Sequence, residues 1–133
     1  MPEEKKTILL VDDDEEILAA MEATIRQFDV KIERATNGNQ AVDKVEKVEP
    51  DLVVLDMMLP RKSGFLVMER IRSRRQQQKS EKPYVIMVTA NPGQRHKQYA
   101  QSLGVNEYLN KPFRMDRLTD AISKLLQIEK KSK

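Results

Sequence analysis

The chain has 133 residues, 39% hydrophobic and 34% charged, with a formal net charge of +3 from 24 basic and 21 acidic side chains. That length suits one domain with a single core, and apolar residues gathered in short blocks argue against disorder. There is no cysteine, which excludes disulfide and thiolate chemistry, and no apolar run approaches the ~18 residues of a membrane span.

The start, MPEEKKTILLV, carries acids and too short an apolar stretch for a secretory signal, so the cytoplasm is the expected location. Thr7–Val11 is predicted as a strand. Glu16–Gln27 is predicted as a helix, with Ile17, Leu18, Ala20, Met21 and Ile25 broadly on one face. Val30–Ala35 is a second strand of weaker, alternating type. Asn37 is placed to cap a helix whose apolar side is Ala41, Val42, Val45 and Val48, and Pro50 closes it.

Leu52–Leu55 is a continuous apolar strand, as expected of one buried on both faces. Phe65–Arg75 is a helix with Phe65, Val67, Met68 and Ile71 as its apolar residues. Its cations Arg70, Arg72, Arg74 and Arg75, followed by Gln76 to Gln78, suit a solvated helix end and loop. Tyr84–Val88 is the fourth strand. Residues 95–103 form a short helix ended by Gly104. Asn106–Leu109 is the fifth strand, and Asp116–Glu129 the last helix, with Leu118, Ile122, Leu125 and Leu126 facing inward.

The order is a strand and a helix repeated five times, an α/β pattern. It implies a parallel sheet covered on both faces, a doubly wound (βα)5 fold with right-handed crossovers. Such sheets bind ligands beyond the carboxyl ends of their strands. In this chain those ends carry carboxylate, hydroxyl or ammonium groups. The first strand is followed by Asp12 and Asp13, inside the run ILLVDDDEE. The third ends at Asp56, the fourth at Thr89, and the fifth is followed by Asn110 and Lys111.

Three carboxylates crowded in a partly dry crevice repel one another, and a hard cation resolves the conflict. Magnesium takes oxygen ligands, keeps several waters, and tolerates carboxylates together with phosphate oxygens. No histidine or cysteine accompanies these acids, which disfavours zinc. Lys111 is too basic to ligate a metal at neutral pH and suits a carboxylate or an incoming anion. A metal, a lone aspartate, a hydroxyl and a lysine together suit phosphoryl chemistry, because carboxylates form aspartyl phosphates.

The pieces ILLVDDDEE, DLVVLDMMLPRKSG, VIMVTA and EYLNKPF, in this order and spacing, resemble the receiver domain of two-component response regulators, the CheY-like family. The resemblance covers roughly residues 7 to 128. It implies a single receiver domain over 1–133 with short charged tails, a flavodoxin-like fold, and strand order 2-1-3-4-5. It also implies that Asp56 is the phosphoacceptor and Asp13 the main metal-ligand acid. Asp12 would support the ion, commonly through water, and the Met58 backbone carbonyl would add another ligand. Lys111 would pair with Asp56 and then with its phosphate, aimed by a Pro112 peptide bond that is usually cis in this family. Thr89 would be the switch hydroxyl, Tyr108 the switch aromatic, and the Ala90 amide a phosphoryl contact.

The implied function is a phosphoacceptor signalling switch of a two-component phosphorelay, loaded with magnesium, or manganese as the alternative ion. A histidine kinase or phosphotransfer protein would donate the phosphoryl group. The face of helix four, strand five and helix five would then change its preference for an output protein or output domain. The protein would catalyse its own phosphorylation and slow dephosphorylation, without turnover of a separate small substrate. No direct nucleic-acid or membrane binding is expected. The chain would be a monomer or a phosphorylation-dependent homodimer, with Arg114, Arg117 and Lys124 on the exposed face.

Some positions depart from the commonest family pattern. Lys62 and Ser63 stand where an apolar residue and then aspartate are frequent, and Ser63 can still cap the helix that begins near Gly64. Met58 and Asn91 occupy positions that tune dephosphorylation, and neither is a strong base. His96, the only histidine, is read as exposed. Two rival functions remain: a phosphate-independent scaffold with the same fold, and a metal-dependent phosphatase, for which the chain has no spare length to build a cap. No DNA-binding module follows the receiver within this sequence, which would suit either a stand-alone regulator or part of a longer protein.

Overall fold

The computed structural model describes residues 5–57, 64–89, 94–111 and 113–130, apart from the side chains of 94–96. Five strands alternate with five helices: β1 (Lys6–Val11), α1 (Glu15–Ile25), β2 (Val30–Ala35), α2 (Gly38–Val48), β3 (Leu52–Asp56), α3 (Gly64–Gln78), β4 (Tyr84–Thr89), α4 (Gln94–Ser102), β5 (Glu107–Asn110) and α5 (Met115–Leu126). The strands form one sheet in the order β2-β1-β3-β4-β5, every pair parallel. This is the doubly wound order that the sequence resemblance implied.

The apolar strands divide their side chains between two layers, as the two-residue strand period dictates. Ile8, Leu10, Leu52, Val54, Ile86 and Val88 pack with residues of α1 and α5. Leu9, Val11, Val53, Leu55, Val85 and Met87 pack on the other face, with α2, α3 and α4. All five residues of β3 are buried, because it lies in the middle of the sheet with helices over both faces.

Element ends differ from the sequence reading where local hydrogen bonds intervene. Asp14 caps α1, its side chain accepting from the Glu16 and Ile17 amides at 2.9 and 3.4 Å. At its other end α1 stops at Ile25, two residues short of Gln27, because the chain turns there and sends Phe28 into the core, 2% exposed. Asn37 does cap α2, accepting from the Gln40 amide at 2.9 Å. α5 ends at Leu126, short of Glu129, where Gln127 takes a left-handed conformation with φ 56°.

α3 runs to Gln78, so the three glutamines are helical rather than loop. Its arginines are not a free basic patch. Arg70 pairs with Glu46 at 3.1 Å and Arg74 with Glu49 at 2.8 Å. Arg75 turns inward and donates to the Pro83 carbonyl at 2.6 Å, the Gly104 carbonyl at 2.9 Å and Asn106 Oδ1 at 3.0 Å. The same Asn106 oxygen accepts the Val85 amide at 2.8 Å. One guanidinium thus ties the end of α3 to the start of β4 and to the chain entering β5. Burial pulls its pKa down from the ordinary arginine value.

Candidate functional site

The sheet delivers the polar residues to one edge by simple continuation of its ladders. The Asp12 amide donates to the Ala35 carbonyl at 3.2 Å, one rung beyond β1, which holds Asp12 at the sheet edge, 1% exposed. Asp56 is the last residue of β3, in register with Val88 and 4% exposed. Thr89 closes β4, fully buried and opposite Asn110. The next amide, that of Lys111, donates to the Thr89 carbonyl at 2.7 Å. Tyr108, half-buried, lies opposite Met87, and burial pushes its phenol pKa up.

Gly64 lets α3 begin hard against this edge. Its amide donates to the Met57 carbonyl at 2.9 Å. A Cβ there would lie 2.5 Å from the Asp56 carbonyl oxygen and 2.6 Å from Met57 Cα. Both are backbone atoms, so neither can swing aside, and only glycine fits at this position.

Asp12, Asp13 and Asp56 each offer a carboxylate oxygen, and these oxygens lie within 4.8 Å of one another. Asp13 is exposed while the other two are buried, so the cluster opens to solvent on one side. Lys111 answers it. Its Nζ donates to Asp12 Oδ2 at 2.8 Å and to Asp56 Oδ2 at 3.5 Å. Asp12 Oδ1 accepts the Asp14 amide at 2.9 Å, so both oxygens of Asp12 are engaged. Burial alone would lower the Lys111 pKa, but its hydrogen bond to Asp12 and the charges of Asp56 and Asp12 outweigh it, and the net direction is upward. The ammonium is a fixed cation at neutral pH.

An all-oxygen donor set with no histidine or cysteine suits a hard divalent cation. Two buried acids with one lysine between them also carry excess negative charge that such an ion would neutralise. The residues therefore fit a metal-binding and phosphorylation site.

The structure brings together Asp12, Asp13, Asp56 and Lys111, and sets Thr89 and Tyr108 on the adjoining strands. Met58, Lys62, Ser63, Ala90, Asn91, Pro92, Gly93, Pro112 and the His96 side chain lie outside the described residues. The sequence reading paired Lys111 with Asp56, whereas its shorter contact is with Asp12. It also missed the cap at Asp14, for which an aspartate followed by two glutamates at a helix start was the available signal. No feature of the sequence announced how closely Gly64 approaches Asp56.

Among the described residues no helix is long and apolar enough to cross a membrane. Residues 8–123 match the sequence profile of the response regulator receiver domain. The alkaline phosphatase synthesis transcriptional regulatory protein PhoP of Bacillus subtilis is 36% identical over 108 residues, 81% of this chain and 43% of PhoP. The chain thus spans less than half the length of that curated relative. A CheY-like response regulator receiver domain protein from Methanospirillum hungatei superposes with a TM-score of 0.78 at 25% identity, covering 93% of this chain and 96% of the other. DrrB, a Thermotoga maritima OmpR/PhoB homologue, does so with a TM-score of 0.81 at 25% identity, covering 93% of this chain and 54% of DrrB. With its carboxylate cluster at the ends of β1 and β3, in a sheet of this order, the chain belongs to the response regulator receiver domain family, the phosphoacceptor modules that signal through aspartyl phosphorylation.

Proposed function

We propose that Asp56 is the phosphoacceptor and that residues 7–128 work as one receiver domain, switched by a phosphohistidine donor on a histidine kinase or phosphotransfer protein. The observation that carries this reading is Lys111 placed between two buried carboxylates, 2.8 Å from Asp12 and 3.5 Å from Asp56.

Asp12, Asp13 and Asp56 would hold the metal, magnesium or manganese, with the Met58 carbonyl adding a ligand. When bound, the ion supplies positive charge against the phosphoryl oxygens. The Asp56 carboxylate attacks phosphorus in line, the phosphorus–nitrogen bond breaks, and the donor imidazole leaves with the electron pair. Lys111 is near enough to both acids to move its hydrogen bond from Asp12 to the new phosphoryl group. The Thr89 hydroxyl and the Ala90 amide supply further contacts to that group. Hydrolysis of the acyl phosphate by water resets the switch.

The backbone link between Lys111 and Thr89 joins the site to β5, and Tyr108 lies on that strand. The surface of α4, β5 and α5 is the output face in this reading, where a local change of charge biases a two-state element.

Incubation with magnesium and acetyl phosphate, followed by intact mass measurement, tests the proposal. One base-labile phosphoryl adduct on the wild type, and none on Asp56→Ala, is the expected result. Magnesium binding without an adduct from acetyl phosphate or from a phosphohistidine donor would leave the fold as a phosphate-independent scaffold.

A further inference from the structure

We infer that Asn106 and Arg75 are positioning residues for Lys111, acting from the opposite end of β5. The inference rests on the reading above in which Lys111 meets the phosphoryl group, and adds what sets the place of that lysine.

β5 is the last strand of the sheet and has four residues. Leu109 is the buried one among them. A short edge strand with a single inward side chain specifies its own register weakly, because the apolar set that fixes register is nearly missing. That register nevertheless decides the site. Asn110 stands opposite Thr89. The next residue is Lys111, whose Nζ lies 2.8 Å from Asp12 Oδ2 and 3.5 Å from Asp56 Oδ2.

The entry to β5 supplies the fixing that the strand lacks. The Asn106 amide donates to the Val85 carbonyl at 2.9 Å, and Asn106 Oδ1 accepts the Val85 amide at 2.8 Å. Backbone and side chain together lock this residue to one position on β4. Arg75 backs the lock. Its Nη2 donates to the same Asn106 oxygen at 3.0 Å and its Nη1 to the Gly104 carbonyl at 2.9 Å. Nε and Nη2 both donate to the Pro83 carbonyl, at 3.0 and 2.6 Å. One rigid, planar guanidinium thus holds the chain entering β5 and the chain entering β4 in a fixed relation.

The five steps from Asn106 to Lys111 span about 16 Å at the rise of an extended strand. The clamp therefore acts on the lysine through the strand between them, by fixing where that strand starts. At the exit the Lys111 amide donates to the Thr89 carbonyl at 2.7 Å, so a displacement of β5 along β4 passes to the lysine backbone. The 3.5 Å contact with Asp56 is already at the limit of a hydrogen bond, and a small displacement is enough to lose it.

A double-mutant cycle between Asn106→Ala and Lys111→Met tests the inference with two readouts. The first is the rate of adduct formation from acetyl phosphate with magnesium, by intact mass. Asn106→Ala should slow it by about tenfold. In the Lys111→Met background the same substitution should change it by less than about twofold, because no lysine is left to misplace. Asn106→Asp keeps the acceptor for Val85 and Arg75, and should return the rate to within about twofold of the wild type. The second readout is the urea midpoint. Residues this far apart, with no shared partner, ordinarily destabilise additively. Here the midpoint shift caused by Lys111→Met should shrink by about half or more once Asn106→Ala is present, because the pair with Asp12 is already loosened.

Additive effects on the rate, additive midpoint shifts, or no rescue by Asn106→Asp would overturn the inference and leave the clamp as a support of the fold alone. The second readout needs no phosphoryl group, which separates this failure from that of the switch. A wild type that forms no adduct sinks the switch reading, and the midpoints then decide by themselves whether the clamp places the lysine.

Discussion

Lys111 and Asp12 form the tightest ion pair of the site, at 2.8 Å, although they stand 99 residues apart in the chain. The lysine has only 19% of its side-chain surface exposed and the aspartate 2%. Removing the lysine would take the ion pair from the buried Asp12 and withdraw the same positive charge from Asp56. Lys111→Met is therefore expected to destabilise the fold and to slow adduct formation from acetyl phosphate by about a hundredfold. Chemical denaturation and time-resolved intact mass read the two effects.

The same pair gives a pH signature. The folded-state pKa of Lys111 is raised above its ordinary value of 10.5. Its contribution to stability is then fully present below the unfolded pKa and is lost as pH rises through the folded one. The stability gap between wild type and Lys111→Met should stay constant at neutral pH and narrow above about pH 10.5. A gap that widens with rising alkalinity would contradict the assigned pairing.

Magnesium should stabilise the chain through the three carboxylates that lie within 4.8 Å of one another. At a hundredfold excess over its Kd the gain is about 2.7 kcal/mol, visible as a rise in Tm that EDTA reverses. Asp13→Asn should lose most of that gain. Without metal it should be no less stable than the wild type, because one charge leaves a self-repelling cluster. Thermal melting with and without magnesium checks both.

Gly64→Ala should cost about 1–3 kcal/mol or more. Its Cβ would sit 2.5 Å from the Asp56 carbonyl oxygen, so α3 must move away from the strand that carries the phosphoacceptor. Denaturant midpoints measure the cost, and adduct formation should slow in the same variant.

Two arginines on α3 should behave oppositely. Arg75→Ala leaves the Pro83 and Gly104 carbonyls and Asn106 without their shared donor. It should cost about 2 kcal/mol or more, and Arg75→Lys should recover only part, since an ammonium cannot span three acceptors in one plane. Arg70→Ala removes an exposed pair, 62% and 53% exposed, and should stay within about 0.5 kcal/mol. Urea denaturation of the three variants side by side decides it.

The sheet was legible because its signal is local and repeated. Leu52 to Leu55 is apolar without a break, and only a strand covered on both faces tolerates that. Once the strands are placed, Asp12, Asp56, Thr89 and Lys111 fall at one edge by counting. The choice of partner within the edge was not legible. Asp56 on β3 lies nearer than Asp12, which follows β1, to the strand that leads into Lys111, and only side-chain packing sets 2.8 Å to Asp12 against 3.5 Å to Asp56. Arg75 was misplaced for a similar reason. Beside three other arginines and three glutamines it looks solvated, and its acceptors come from Pro83, past the next turn, and from Gly104 and Asn106, far along the chain. Gly104, at φ 94°, leaves space where a Cβ would meet Arg75 Nη1 at 2.9 Å, a fit between two distant residues that no local pattern encodes.

Borohydride reduction of the phosphorylated protein, followed by peptide sequencing in the mass spectrometer, tests the central claim most directly. Reduction converts an aspartyl phosphate to homoserine and leaves free carboxylates untouched. The account predicts homoserine at position 56 and nowhere else, with none formed when magnesium is withheld. Homoserine at position 12 or 13, or a phosphoryl adduct that survives reduction as an ester on a hydroxyl, would contradict it.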